Sequence, residues 1–235
     1  MPGESFPLLN HAARYFPILR ELLPQIGSDG SVLEIGAGPR GLGEFFYRPF
    51  VGCDVTFPSK PRKPMMPVVC SGDRLPFSDG SFDAVVSSDV MEHVPPQHRC
   101  AVVSEALRVA RKLAVFGFPH GVDAHNLDRE LRSEYKKRGM QSPAWLEEHM
   151  LYSFPTADLF RELPLGWKMK VIPNEALSFH AWVMRMEMSR WWDHFFRLAL
   201  LVAPSFMEWS LRKFDREPSY RMIFVFTHEM PFRSS

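Results

Sequence analysis

The sequence lacks the features that mark several large classes of protein. Among its 235 residues are only three cysteines, Cys53, Cys70 and Cys100, and no two of them form a C-x-x-C pair. This number and spacing argue against a disulfide scaffold and against a cysteine-based zinc site, and they favour a reducing compartment. The formal net charge of +1 provides no field that would attract nucleic acid, so a nucleic-acid partner is not expected.

Long hydrophobic runs are also missing. The longest, from Leu198 to Ala203, is far below the ~20 residues that span a bilayer. The first residues, MPGESFPLLNHAARYF, are not typical of a signal peptide, because Pro, Glu and Arg interrupt any apolar segment. We therefore expect a cytoplasmic protein.

Tryptophan is absent from the first 144 residues. All six tryptophans follow that point, and nine of the thirteen methionines follow residue 119. This asymmetry suggests two differently built parts within one domain: residues 1–119, composed of ordinary α/β residues, and residues 120–235, which carry the large adaptable side chains.

Short apolar segments alternate with turn and helix signals through the chain. The pattern predicts strands at 31–36, 50–54, 67–70, 81–88 and 113–118, and two more at 168–172 and 221–228. Helical spacing in residues 6–26 predicts an N-terminal helix that Pro17 kinks or divides. Four prolines in residues 55–67 predict a loop in place of a crossover helix. Strands alternating with helices are typical of an α/β fold with a mostly parallel sheet.

A glycine-rich turn follows the first predicted strand. Residues 36–41, GAGPRG, match G-x-G-x-x-G, and Asp54 ends the next strand 18 residues after Gly36. Glycines let the backbone approach a ligand, and a carboxylate at the end of that strand can accept from both ribose hydroxyls. Dehydrogenases and methyltransferases share this layout, so the turn alone predicts a nucleoside cofactor without identifying it.

Glu34 separates the two cofactor classes. It stands two residues before the first glycine, a position that is normally apolar where anionic phosphates bind. A cofactor carrying an ammonium and a sulfonium tolerates a carboxylate nearby. Pro39 also lacks an N–H for a pyrophosphate, which disfavours a dinucleotide.

The ordered motifs VLEIGAGPRG, VGCD and SGDRLPFSDGSFDAVVSSDVMEHV resemble the class I S-adenosylmethionine (SAM)-dependent methyltransferases, in particular the methyltransferase type 11-like group. The resemblance covers about residues 30–119. It implies a Rossmann-like seven-stranded sheet with helices on both faces, SAM as cofactor and methyl transfer as the activity. It further implies contacts to SAM from four places. The turn contributes Glu34, Gly36, Ala37 and Gly38 for the methionine end. Asp54 binds the ribose, and Gly72, Asp73, Arg74 and Leu75 form the adenine slot. Ser88 and Asp89 flank the sulfonium.

Methyl transfer needs alignment and exclusion of water, and a base only when the acceptor is an alcohol. The candidate bases are His93, His120 and His149, each of which has a purely structural alternative. His93 follows the fourth strand and His120 the fifth, so both would lie at the carboxyl edge of the sheet. His120, Asp123 and His125 have some likeness to a metal cluster, but adjacent loop residues more often face solvent, and no metal site is predicted.

Residues 145–149, WLEEH, resemble a stretch in methyltransferases of bacterial cell-surface sugar assembly, which implies that Glu148 and His149 face the acceptor. Residues 179–203 have apolar side chains, Trp191 and Trp192 among them, at helical spacing. Three interpretations stay open: a helical C-terminal cap, a lid over the acceptor, or a contact with a membrane surface. Mixed charges on this segment weaken the last.

These patterns predict a SAM-dependent methyltransferase that acts on a small-molecule or glycan acceptor, mainly at oxygen. Two alternatives are a methyltransferase of quinones or other aromatic metabolites, and a SAM-binding interaction protein without turnover.

Overall fold

Seven strands form one mixed sheet in the computed structural model, which describes residues 8–188 and 190–229 apart from the side chains of residues 190, 191 and 193. The strands are β1 (Val32–Ile35), β2 (Phe50–Asp54), β3 (Met65–Val69), β4 (Phe82–Ser88), β5 (Ala110–Pro119), β6 (Trp167–Ala176) and β7 (Ser219–His228). Their order is β3-β2-β1-β4-β5-β7-β6. β7 runs opposite to the other six strands and is antiparallel to both of its neighbours, β5 and β6. The predicted mostly parallel α/β sheet is therefore confirmed.

Seven α-helices accompany the sheet in the described part of the chain: α1 (Leu8–Ile26), α2 (Pro96–Val109), α3 (Gly121–Lys137), α4 (Ala144–Glu148), α5 (Leu177–Glu187), α6 (Arg190–Val202) and α7 (Pro204–Arg212). Both faces of the sheet are covered. Val86 belongs to the core between the sheet and α1, whereas its neighbour Val85 belongs to the core under α2. Successive residues of a strand point to opposite faces, so a continuous apolar run in β4 serves both cores.

Several expected boundaries differ from the structure. Pro17 lies inside α1, which continues as one helix to Ile26, so this proline does not divide it. Phe6, the first apolar position of that predicted helix, lies outside the described residues. The aromatic stretch 179–203 is two helices, α5 and α6, rather than one. The side chain of Trp191 lies outside the described part of the structure.

The first two crossovers contain little helix. A single 3-10 turn, Gly41–Glu44, follows β1, and residues 55–64 between β2 and β3 have no helix, as the prolines predict. α1, which precedes β1 in the chain, packs on that side of the sheet instead and buries Ile18 and Leu22 against it. The carboxyl ends of β1 and β2 are therefore followed by loops, residues 36–49 and 55–64, that contain little helix.

Glu34 joins β1, α1 and the glycine turn. The Tyr15 hydroxyl donates to its Oε1 at 2.6 Å, and the Leu42 N–H donates to its Oε2 at 2.7 Å. A Cβ atom at Gly41 would lie 2.1 Å from that Oε2, and the φ of Gly41 is +46°, so only glycine fits there. Burial raises the pKa of the Glu34 carboxyl to about 7, although both hydrogen bonds oppose the shift.

Arg221 near the start of β7 is a buried guanidinium with two carboxylate partners. It donates to Asp89 Oδ1 at 2.6 Å and to Asp89 Oδ2 at 2.7 Å, and it also donates to Glu175 on β6. Arg221 and Glu175 are each 1% exposed. These bonds hold the antiparallel strand β7 against both the end of β4 and the edge strand β6.

Helices α5 to α7 form the C-terminal cap. Val183 and Met184 of α5 share a core with Leu9 of α1 and Leu131 of α3. The opposite side of the cap exposes a group of large apolar residues: Trp182, Trp192, Phe195, Leu198, Leu201, Val202, Phe206 and Trp209. In the described residues no helix has the length and apolar content needed to cross a membrane. Contact of this exposed side with a membrane surface stays a prediction.

Replacing Arg221 with methionine is expected to destabilise the protein strongly. Asp89 and Glu175 would each lose a buried cationic partner, and breaking such a pair costs about 3–5 kcal/mol. The matched control is Arg161→Met, because Arg161 pairs with Asp158 at 2.9 Å with both side chains largely exposed. Its cost is expected below about 1 kcal/mol. Urea unfolding measures both free energies, and equal losses would contradict this role of Arg221.

Glu34→Gln is expected to change how stability depends on pH. A carboxyl whose pKa is raised in the folded state stabilises the protein below its unfolded pKa and loses that contribution as pH rises through the folded pKa. For Glu34 the loss falls between about pH 4.5 and 7 and amounts to roughly 3 kcal/mol. The glutamine variant should therefore gain stability relative to the original protein across this window. A difference in unfolding free energy that is constant with pH would show that Glu34 ionises normally.

Candidate active site

Two adjoining cavities lie at the carboxyl ends of β1, β2 and β4. The first, here called the β2 cavity, has a volume of about 600 Å³ and extends from Asp54 to the loop after β3 and to Glu148. The second, here called the glycine-turn cavity, has a volume of about 240 Å³ and lies between the turn and α1. Gly36 and Asp89 line both. Together the cavities form a bent groove at the edge of the sheet where open α/β folds bind ligands.

The glycine turn is held directly against β2. The N–H groups of Gly36 and Ala37 donate to the Cys53 carbonyl at 2.8 and 3.1 Å. A Cβ atom at Gly36 would lie 2.2 Å from Val90 Cγ2, and the φ of Gly36 is +70°. Gly36, Ala37 and Gly38 all line the glycine-turn cavity, so on this side a ligand would meet mainly backbone.

Asp54 ends β2 and lines the β2 cavity. Its Oδ2 accepts from the Gly38 N–H at 2.9 Å. This bond orients the carboxylate between the turn and the cavity. The carboxylate can still accept further hydrogen bonds from two neighbouring hydroxyls. A ribose presents such a pair of hydroxyls.

The predicted adenine residues separate into two pairs. Gly72 and Asp73 line the β2 cavity. Arg74 is exposed and Leu75 is buried under α2, and neither lines a cavity. The chain turns at this point, since the Arg74 N–H donates to the Ser71 carbonyl at 3.1 Å and the Leu75 N–H donates to Glu105 at 2.7 Å. Two of the four residues predicted for an adenine slot, Gly72 and Asp73, therefore line the β2 cavity.

Glu34 lines neither cavity, because its carboxylate lies beneath the glycine turn and supports it from the core. Ser88 and Asp89 do line the glycine-turn cavity. The φ of Asp89 is +51°, an unusual conformation for a non-glycine residue. Burial would raise the pKa of its carboxyl, but the guanidinium groups of Arg221 and Arg14 outweigh burial and hold that pKa well below its usual range.

Of the three candidate bases, only His93 lines a cavity. Its Nδ1 lies 2.9 Å from Glu148 Oε2, and Glu148 lines the same wall of the β2 cavity. His149 is buried behind that wall, where its Nδ1 lies 2.6 Å from Asp128 Oδ2. His120 lines neither cavity, and its Nε2 accepts from the Ala157 N–H at 3.2 Å. Packing of the WLEEH segment therefore turns Glu148 to the cavity and His149 into the core.

Residues that sequence reasoning missed complete the site. His11 and Arg14 of α1 line the glycine-turn cavity, and Arg14 Nη1 donates to Asp89 Oδ2 at 3.1 Å. Glu92 is fully buried next to His93 and His149, and in the described residues these three form the one group with metal-ligand spacing. Arg14 lies in α1 and Arg221 near the start of β7, and neither belongs to a recognisable motif. Their contacts with Asp89 could therefore not be predicted from the sequence.

The C-terminal cap contributes little to the groove. Among the described residues after 119, only Glu148 lines either cavity, and no residue of α5, α6 or α7 does so. The interpretation of the aromatic segment as a lid is therefore not supported by this arrangement.

Comparison with known proteins adds a family match and structural neighbours. Residues 33–118 match a family model described as a methyltransferase domain. No curated protein sequence matches the chain at a significant level.

Solved structures share the fold over most of the chain. A protein from Galdieria sulphuraria, assigned as a sarcosine dimethylglycine methyltransferase, is 16% identical, with a TM-score of 0.52 over 93% of this chain and 85% of its own. A chain from the complex of the Haloferax volcanii Trm112 methyltransferase activator with a methyltransferase is 13% identical, with a TM-score of 0.51 over 97% of this chain and 95% of its own. At such identities these neighbours establish the fold alone.

The family match covers the first five strands of the sheet, the glycine turn and Asp54, so it includes most of the wall of the groove. It also agrees with the motifs that the sequence shares with this family. Residues 33–118 thus match a methyltransferase domain, and this match together with the shared fold supports a SAM-dependent methyltransferase.

Proposed function

We propose that the protein transfers the methyl group of SAM to a hydroxyl oxygen of a small, sugar-like acceptor. The observation that carries this proposal is the pair His93 and Glu148, 2.9 Å apart on the wall of the β2 cavity. This wall offers hydrogen-bonding atoms to a polar acceptor, in the cavity that Asp89 also lines.

The residues that line the groove suggest which end of the cofactor each cavity would hold. Its ribose would bind Asp54, with the adenine against Gly72 and Asp73 in the larger space of the β2 cavity. Its methionine end would occupy the glycine-turn cavity, where Arg14 supplies a cation for the carboxylate and Ser88 a hydroxyl. The sulfonium would then lie near Asp89, where the two cavities meet.

The reaction is a displacement in line with the leaving sulfur. The acceptor oxygen forms a bond to the methyl carbon while the carbon–sulfur bond breaks, and the bonding electrons stay on the sulfur of S-adenosylhomocysteine. The hydroxyl proton leaves to a base or to water. The protein's main contribution is to hold the oxygen and the methyl carbon in line and to exclude competing water.

The lining favours a hydroxyl-bearing acceptor over an aromatic one. Among the described residues no phenylalanine or tryptophan lines either cavity, and Tyr15 is the single tyrosine. Aromatic acceptors are usually bound by stacking on such rings. A role in assembling a cell-surface glycan is supported by the resemblance of residues 145–149, and Glu148 of that stretch lines the β2 cavity. The free thiols of Cys53, Cys70 and Cys100 agree with our proposal of a cytoplasmic enzyme.

Asp54→Asn is expected to weaken the binding of S-adenosylhomocysteine by about tenfold or more. The amide keeps an oxygen for the Gly38 N–H but cannot accept from two ribose hydroxyls, and a hydrogen bond to a charged group contributes about 1.5–3 kcal/mol. Isothermal titration calorimetry measures the affinity. Asp79→Asn is the control, because Asp79 is 72% exposed, pairs with Arg108 and lies outside both cavities. Equal affinities of the Asp54 variant and the original protein would remove Asp54 from the cofactor site.

Methyl transfer itself is tested with SAM labelled in the methyl group. We expect label to enter acceptors with aliphatic hydroxyls, such as sugar pools, and to remain bound after mild alkaline treatment, because ethers resist hydrolysis and methyl esters do not. Incorporation only into phenols or quinones would favour the aromatic-metabolite alternative. Label released as methanol by alkali would show a carboxylate acceptor and contradict the proposal.

A further inference from the structure

Glu92 is a buried carboxylate without a hydrogen-bond partner. Its exposed fraction is 0%, and neither Oε1 nor Oε2 is hydrogen-bonded to any residue that the structure describes. An isolated carboxylate is costly to bury unless a cation or a set of donors compensates it. A proton or a cation close to Oε1 would compensate this burial, and the groups around the oxygen distinguish the two.

Two imidazole nitrogens lie around that oxygen. His93 Nε2 is 3.9 Å from Glu92 Oε1, and His149 Nε2 is 3.8 Å from the same atom. One ligand atom from each of the three residues lies within 4.8 Å of the other two. These separations are too long for direct hydrogen bonds, but they suit three atoms that share one central ion. With metal–ligand bonds of about 2.0–2.2 Å, ligand atoms stand about 3–4 Å apart, so small side-chain rotations suffice.

The other nitrogen of each imidazole faces a carboxylate. His93 Nδ1 lies 2.9 Å from Glu148 Oε2, and His149 Nδ1 lies 2.6 Å from Asp128 Oδ2. Histidines that bind metals almost always place their second nitrogen against such a partner, which orients the ring and fixes the tautomer.

Asp128 is itself oriented, because the Tyr220 hydroxyl donates to its Oδ2 at 2.9 Å. Asp128 is 0% exposed and Tyr220 is 2% exposed. The position of His149 is thus determined by residues from α3 and β7, and its Nε2 is directed towards Glu92 by packing rather than by a flexible loop.

We propose that Glu92, His93 and His149 bind a divalent transition-metal ion, with Glu148 and Asp128 orienting the two histidines. Two imidazoles and one carboxylate are the ligands that Mn²⁺, Fe²⁺, Co²⁺ and Zn²⁺ accept together, whereas Ca²⁺ and Mg²⁺ favour oxygen alone. Three protein ligands leave coordination positions open, as in catalytic rather than structural sites.

The site lies directly behind the part of the β2 cavity wall that His93 and Glu148 form. For the acceptor this inference rests on the proposed function: an ion behind this wall would fix the position of His93, and Glu148 beside it would present its carboxylate to a hydroxyl-bearing acceptor. Binding of the ion itself does not depend on which acceptor is used.

Metal binding is tested on the full chain after dialysis against a chelator. Calorimetry with Mn²⁺ and Co²⁺ is expected to show one ion per chain, and bound Co²⁺ should develop a visible absorption band. Glu92→Gln keeps the size of the side chain and should abolish both signals. Asp128→Asn removes only the orienting carboxylate and should weaken binding about 10–100-fold.

The control variant is His228→Asn, because His228 packs on Trp167 at the far end of β7 and its loss should leave the affinity for metal unchanged. Binding of S-adenosylhomocysteine is measured on every variant to show that the cofactor site is folded. The proposed metal site is wrong if the original protein binds no stoichiometric ion. It is also wrong if Glu92→Gln binds the metal with the same affinity as the original protein. If the original protein does not bind S-adenosylhomocysteine, the proposed function is wrong, whatever the result for the metal.

Discussion

The ion pair of Arg221 with Asp89 and Glu175 is the constraint on which the groove depends. β7 is the one strand that runs against its neighbours, and Arg221 near its start reaches both the residue after β4 and the edge strand β6. The pair fixes Asp89 in a left-handed conformation at the point where the two cavities meet. Strain of this kind persists only where the surroundings determine it, and it is typical of functional sites.

Buried polar contacts extend from this pair in two directions. On one side, Arg14 of α1 binds Asp89 and contacts His11, whose ring lies against the Gly41 carbonyl of the glycine turn. On the other side, Glu175 contacts His180, which stacks on Tyr220 at 3.4 Å. Tyr220 in turn donates to Asp128, the partner of His149. The methionine end of the proposed cofactor site and the proposed metal ligands are therefore joined by one contiguous set of hydrogen bonds and ring contacts.

Much of the cofactor groove could be predicted from the sequence, because its residues follow strand ends. Gly36, Asp54 and Asp89 each stand directly after or at the end of a short apolar segment, and parallel strands bring such positions to one edge of the sheet. Glu34 is different. The family resemblance implied a ligand contact for it, but its carboxylate is buried beneath the turn, where it accepts from Tyr15 and Leu42. The direction of a side chain in a short strand depends on the face it occupies, and the local sequence of β1 is apolar on both faces.

By itself the sequence determined the order of strands and helices, the glycine turn, the acid that ends β2 and the kind of cofactor. These depend on local spacing and on the backbone conformations that glycine permits and proline restricts. Only the tertiary structure decided which charged groups meet. Arg221 lies 132 positions from Asp89, and Asp128 lies 92 positions from Tyr220. Contacts over such separations arise from the packing of α1, α3 and β7 around the sheet, and a buried charge becomes favourable only once its partner has been brought to it.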